Sequence, residues 1–269
     1  MHLHVHHVTT YRYAEPAFRV LQALRLWPAP GNEQAVRQWR VSVAGQQLQA
    51  SGVDGFGNPV ASHRIDGPVE MLSIEVEGWL DTHETHGVVR GVPETLPPPF
   101  YLASTGLTEP DAAIAALAAE VPASAPLARL HRLMQQVRDR LDYQPERTDA
   151  GTTAAEALAA GAGVCQDHAH LMIACARLLG LPARYVSGYL CPGAGSEDSA
   201  SHAWAEVHVP ELGWVGFDAA NRICPDPHYV RIACGRDYRD AAPVRGLRLG
   251  GGDESLEVSV RVARAQSAQ

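Results

Sequence analysis

The sequence lacks the features that mark several large classes of protein. No run of lysine and arginine stands in its 269 residues, and the formal net charge is −8. A nucleic-acid partner needs a basic footprint, so none is expected. No apolar run reaches the roughly 20 residues of a membrane-spanning helix, and no membrane partner is expected. Met1-His2-Leu3-His4-Val5-His6-His7 offers no basic segment followed by an apolar one, so no signal peptide is expected. The five cysteines are odd in number and form no CxxC pair. That argues against a disulfide framework and for a reducing compartment, the cytoplasm. There is no acidic cluster of the kind that holds calcium, no internal repeat, and no cofactor is expected.

What is present is an ordinary globular composition, 46% hydrophobic and 19% charged, enough for a sizeable core in one large domain or two smaller ones. His2 to Tyr13 alternates: Leu3, Val5, His7, Thr9, Tyr11 and Tyr13 share one face, which reads as a half-buried strand. Its opposite face carries His2, His4 and His6, read as an exposed strand face rather than a metal site. Val20 to Trp27 is a second apolar segment, closed by the turn Pro28-Ala29-Pro30-Gly31. Trp39 to Val43 and Met71 to Leu80 alternate again, with the tight turn Asp54-Gly55-Phe56-Gly57-Asn58-Pro59 between them. Short strands with turn signals between them predict an antiparallel β-sandwich over residues 1–88.

Pro93, Pro97, Pro98 and Pro99 predict a linker over 89–105. From 106 to 269 the pattern changes. Thr108-Glu109-Pro110-Asp111 caps a helix to about Glu120, and a second runs from Leu127 to Leu141. A short third, Ala154 to Ala160, stops at Gly161. A fourth, Cys165 to Leu179, is apolar nearly all round, and Gly180 and Pro182 follow it. Its polar residues, Gln166, Asp167, His168 and His170, sit at its first turn, so that end must meet solvent or a site. Strands are predicted at Arg184 to Leu190, His202 to Val209, Gly213 to Asp218 and, after Gly250-Gly251-Gly252, Ser255 to Val262.

Cys165 sits where its chemistry changes. The first turn of a helix presents unpaired N–H groups and the positive end of the macrodipole, which favour a thiolate and an oxyanion. Taken alone, a cysteine is more often a small buried hydrophobe, and Cys175, Cys191, Cys224 and Cys234 read that way. A nucleophile needs a base and a group that orients the base. His168 is near in sequence. His202 is favoured, because it opens a strand after a glycine-rich loop and has a partner. In an antiparallel hairpin centred near Glu211, position 202 faces position 218 to within a few residues, which brings the Asp218 carboxylate toward the imidazole.

Three stretches carry a resemblance: Gly163-Val164-Cys165-Gln166-Asp167-His168-Ala169, Ser201-His202-Ala203-Trp204-Ala205-Glu206-Val207 and Gly213-Trp214-Val215-Gly216-Phe217-Asp218. Together they closely resemble the motifs of the bacterial transglutaminase-like superfamily, relatives of papain-type cysteine proteases. His7-Val8-Thr9-Thr10-Tyr11-Arg12-Tyr13 and Asp54-Gly55-Phe56-Gly57-Asn58 resemble the family's N-terminal β domain. Gly235-Arg236-Asp237-Tyr238-Arg239-Asp240 is similar to a further family stretch. The resemblance implies an α+β fold in which the β-sandwich precedes a papain/transglutaminase-like catalytic domain, its Cys-bearing core helix packed on an antiparallel sheet. It implies Cys165 as nucleophile, His202 as base and later acid, and Asp218 as the residue that orients the histidine. Gln166-Asp167 follows the cysteine where animal transglutaminases have Trp, so the similarity is to the bacterial branch, and hydrolysis of a peptide, protein or amide substrate through a thioester is expected. Transfer of the acyl group to an amine, a binding module without turnover, and a zinc site on Cys165, His168, His202 and Asp218 are the alternatives.

Overall fold

The computed structural model describes residues 1–192 and 200–265. The first half of the chain forms β1 (His2–Leu24), β2 (Gln34–Val43), β3 (Gln46–Leu48), β4 (Gly52–Val53), β5 (Pro59–Thr82) and the short β6 (Val88–Val89). Then come α1 (Ala112–Ala119), α2 (Pro126–Arg140), β7 (Asp142–Tyr143), α3 (Ala154–Ala160), β8 (Ala162–Gly163) and α4 (Cys165–Leu178). The chain continues through β9 (Ala183–Leu190), β10 (Ala200–Val209), β11 (Gly213–Phe217), β12 (Tyr229–Gly235), α5 (Tyr238–Ala241), β13 (Val244–Gly250) and β14 (Glu254–Arg264). The glycine-rich loop expected between the strands at 190 and 202 lies, over 193–199, outside the described residues.

The alternation of β1 appears as burial. Leu3, Val5, His7 and Thr9 are buried. On the other face His2 pairs with Asp81 at 2.7 Å, His4 with Glu77 at 3.6 Å and His6 with Glu75 at 3.0 Å. The second apolar segment is the far half of the same strand, which runs on past a register shift between Arg12 and Arg19. Such an irregularity bends a hairpin. Val20, Leu24 and Ala61 from the far half of the β1–β5 pair share one apolar cluster with Leu72 and Val76 from its near half and Val41 of β2. These strands belong to one sheet of order β13-β1-β5-β2-β3, with β14 also paired to β1 and β4 to β5.

The last strand departs from expectation. Its place in the sequence puts it in the catalytic part, 106–269, but β14 pairs antiparallel with β1 from Leu3 to Tyr13. β13 pairs with the far half of β1, Ala17 to Leu24. The physical reason is edge saturation: without these strands β1 would present a long row of unpaired N–H and C=O groups. No alternation announces β13, because Leu247 and Leu249 are exposed and glycine and arginine break its apolar pattern.

The second sheet has the order β12-β9-β10-β11-β6, and α4 packs on β9 and β10. β12, unread in the sequence, is buried along its whole length. The proline-rich stretch is no free tether. Val88 and Val89 pair with β11, Pro98–Leu102 forms one 3-10 turn, and Tyr101 is buried. One continuous core joins Leu3, Val5, Leu80 and Val262 of the first sheet to the helices and to Tyr189 and Phe217 of the second. Among the described residues no helix is long and apolar enough to cross a membrane.

Candidate active site

The backbone that delivers Cys165 is shaped by two glycines. Gly161 ends α3 in the left-handed region, with φ 62°. At Gly163 a Cβ would lie 2.6 Å from the Cβ of Asp167, so only glycine lets the chain pass beneath that side chain. Asp167 folds back over this crossing. Its Oδ2 accepts from the Val164 N–H and from Thr148 Oγ1, both at 2.7 Å. The His168 ring lies on the same turn, Nδ1 at 2.8 Å from the Val164 carbonyl oxygen and Nε2 at 3.1 Å from that of Leu141. A neutral imidazole can donate to only one of them at a time. Burial keeps this ring neutral by lowering its pKa, although both carbonyls pull the other way. Asp167 and His168 thus clamp the start of α4, and Cys165 stands half-buried in its first turn.

His202 lies on β10 opposite Gly188 of β9. A Cβ at Gly188 would meet the Val230 carbonyl at 2.0 Å and the Trp204 ring at 2.8 Å. The imidazole is buried. Its Nε2 is 2.6 Å from Asp218 Oδ2, and the ring lines one cavity with Cys165. Because Nε2–H donates to the carboxylate, Nδ1 is the nitrogen left for the thiol. Burial opposes a charge on this ring. The hydrogen bond to Asp218 and then the interaction with Cys165 outweigh it, and the pKa is raised to about 10.

Asp218 is almost fully buried, which by itself would raise its pKa. The hydrogen bond and charge of His202, with donors from Tyr229 and Asn221, hold it below the usual carboxylate value. Tyr229 Oη donates to Oδ2 at 2.6 Å, Asn221 Nδ2 to Oδ2 at 2.7 Å and the Asn221 N–H to Oδ1 at 3.2 Å. Sequence reasoning missed both donors. Asn221, three residues after an aspartate, carries a weak turn signal. Tyr229 comes from β12, and nothing local marks it.

The other sulfurs and histidines are placed differently. Burial pushes the Cys175 thiol up to about 12 and that of Cys224 to about 11. His170 Nε2 accepts from the Tyr238 N–H at 3.1 Å, and burial lowers its pKa to about 3. Elsewhere on β10, Glu206, fully buried, bridges Arg184 at 2.6 Å and Arg231 at 2.8 Å. Burial would raise its pKa, but the two guanidiniums bring it down to about 2.

An open cavity of about 250 Å³ lies against Cys165 and His202. Its walls come from both halves of the chain: β1 and β14 on one side, β9 and the start of α4 on the other.

The model of the transglutaminase-like superfamily matches residues 115–219, which contain Cys165, His202 and Asp218. The bacterial transglutaminase-like N-terminal region matches residues 3–81. The chain belongs to the transglutaminase-like superfamily. An uncharacterized protein from Mycobacterium leprae is 28% identical over 282 residues, covering 97% of this chain and 98% of its own. One from Mycobacterium tuberculosis is 30% identical over 289 residues, covering 96% and 91%. The solved structure of a candidate cysteine protease from Cytophaga hutchinsonii shares the fold, with a TM-score of 0.80 over 100% of this chain and 92% of its own, at 21% identity. The two matched regions contain β1 and β9, which both line the cavity.

Proposed function

We propose that this protein is a cysteine-dependent acyl-transfer enzyme that hydrolyses peptide or amide bonds through a thioester. The observation that carries the reading is that Cys165 and His202 line one cavity, with one nitrogen of the ring 2.6 Å from the buried Asp218 carboxylate and the other left free for the thiol. His202 takes the thiol proton, and the sulfur attacks the carbonyl carbon. The oxygen gains negative charge beside the first turn of α4, where N–H groups have no intrahelical partner. The carbon–nitrogen bond then breaks as the imidazolium gives its proton to the departing amine. Water, deprotonated by His202, cleaves the thioester and restores the thiol. Asp218 holds the ring in its tautomer and balances its charge throughout.

Hydrolysis and transfer to an amine share every step up to the thioester, and water is the acceptor in this reading. Intact-mass detection of an acyl-enzyme on a panel of amides, esters and thioesters tests the reading. The adduct is expected on the parent and absent from Cys165→Ala, with an unchanged thermal midpoint. Equal turnover by Cys165→Ala would refute it.

A further inference from the structure

Beyond the Cys165–His202 pair, the described lining of the cavity carries no charged side chain: no Asp, Glu, Lys or Arg stands among its residues. Four are tyrosines, Tyr11, Tyr185, Tyr189 and Tyr238, and burial pushes every one of these phenols up, so all are uncharged.

One buried polar side chain of the lining is His7. Its Nδ1 lies 2.9 Å from Tyr189 Oη and its Nε2 2.8 Å from Thr9 Oγ1. A neutral ring satisfies both contacts, donating at one nitrogen and accepting at the other. Burial, then the neighbouring His6, lowers this pKa to about 4. The ring is therefore uncharged and already paired, so it offers a charged ligand no counter-ion.

The outer wall comes from β14. Register pairs Tyr11 with Leu256 and Thr9 with Val258. Directly paired residues of an antiparallel ladder share a face, so Leu256 and Val258 face the same opening as Tyr11 and Thr9. Both are about half exposed, at 56% and 49%. The volume, about 250 Å³, lies below the ~300–1,000 Å³ of sites that enclose drug-sized ligands. It has room for one large side chain, not for a folded segment.

We propose that this cavity is the acyl-side specificity pocket: it takes an uncharged aromatic or large aliphatic group beside the attacked carbonyl, and Leu256 and Val258 of β14 form the wall that enforces the choice. The pocket opens onto Cys165, so the group that stays bonded to sulfur in the thioester is the one it holds. A charged side chain would lose its water without gaining a partner, whereas an apolar one gains by burial. The proposal rests on Cys165 as nucleophile, and its test separates the two.

N-acetyl amino acid thioesters with Phe, Leu, Ala, Lys and Glu side chains are offered to the protein, and kcat/KM and acyl-enzyme mass are read. The chain contains no lysine, so an added acyl group cannot reside on a side-chain amine. Phe and Leu are expected to exceed Lys and Glu by about 100-fold, with Ala between them. Val258→Glu, at a half-exposed position, is expected to raise the Lys-to-Phe ratio about tenfold. Leu256→Glu is the second variant, should the first not fold. Rates within about threefold across the panel, or a ratio that neither variant moves, would overturn the pocket. No acyl-enzyme on any thioester would instead overturn the proposed function.

Discussion

His202 Nε2 lies 2.6 Å from Asp218 Oδ2 although the two residues are not cross-strand partners. Ala205 pairs with Phe217, so continuing the register sets Asp218 opposite Trp204, two residues along β10 from the histidine. The carboxylate reaches diagonally, which an antiparallel ladder allows for residues on one face. It can do so because β11 ends at Phe217 and the chain turns there, with Asp218 and Ile223 exchanging backbone hydrogen bonds at 2.9 and 3.2 Å.

Asp218→Asn keeps the shape and removes the charge that holds the ring. Turnover is expected to fall by roughly 10²–10⁴-fold, less than in Cys165→Ala, since the orienting member of such a group costs less than the nucleophile. Steady-state kinetics on one activated ester checks the order of the two losses.

The His202 pKa sets a pH window for stability. In the folded state it is raised from 6.5 to about 10. The stabilisation is therefore fully present below the unfolded value and is lost as pH rises through the folded one. Urea midpoints of the parent and His202→Gln are expected to converge between about pH 6.5 and 10, over a difference on the order of a few kcal/mol. A gap that stays constant or widens with pH would sink the assignment.

Alkylation by iodoacetamide near neutral pH is expected to select Cys165. Cys175 and Cys224 carry thiols that burial pushes up to about 12 and 11, and the Cys191 thiol is raised by the same cause. Peptide mapping after a short exposure reads the selectivity, and His202→Ala is expected to slow it. Labelling of Cys165 no faster than of Cys224 would count against Cys165 as the nucleophile.

Glu206→Gln leaves Arg184 and Arg231 buried without their shared carboxylate. Breaking one partner of such a cluster costs about 3–5 kcal/mol. Chemical denaturation is expected to show a loss of this size. A variant within about 1 kcal/mol of the parent, the scale of an exposed surface pair, would mean that the cluster relaxes into water.

Much of the site is local and readable in the chain. The buried face of β1 follows from alternation at Leu3, Val5, His7 and Thr9, and α4 follows from its apolar circumference and Gly180. The approach of Asp218 to His202 needs only a hairpin whose turn length sets its register. Tyr229 is illegible because it donates to Asp218 from another strand, β12, whose place beside β9 no periodicity encodes.

By itself, then, the sequence determined which residues form most elements, which faces they bury, and that a helix-start cysteine shares the chain with a histidine–aspartate hairpin. Only the tertiary structure decided that β14 returns to pair with β1 and so brings Leu256 and Val258 to the cavity at Cys165. Periodicity and turn chemistry act over a few residues. Which strand edges meet is set by the long-range need to pair backbone groups and close one core, and that need leaves no local mark.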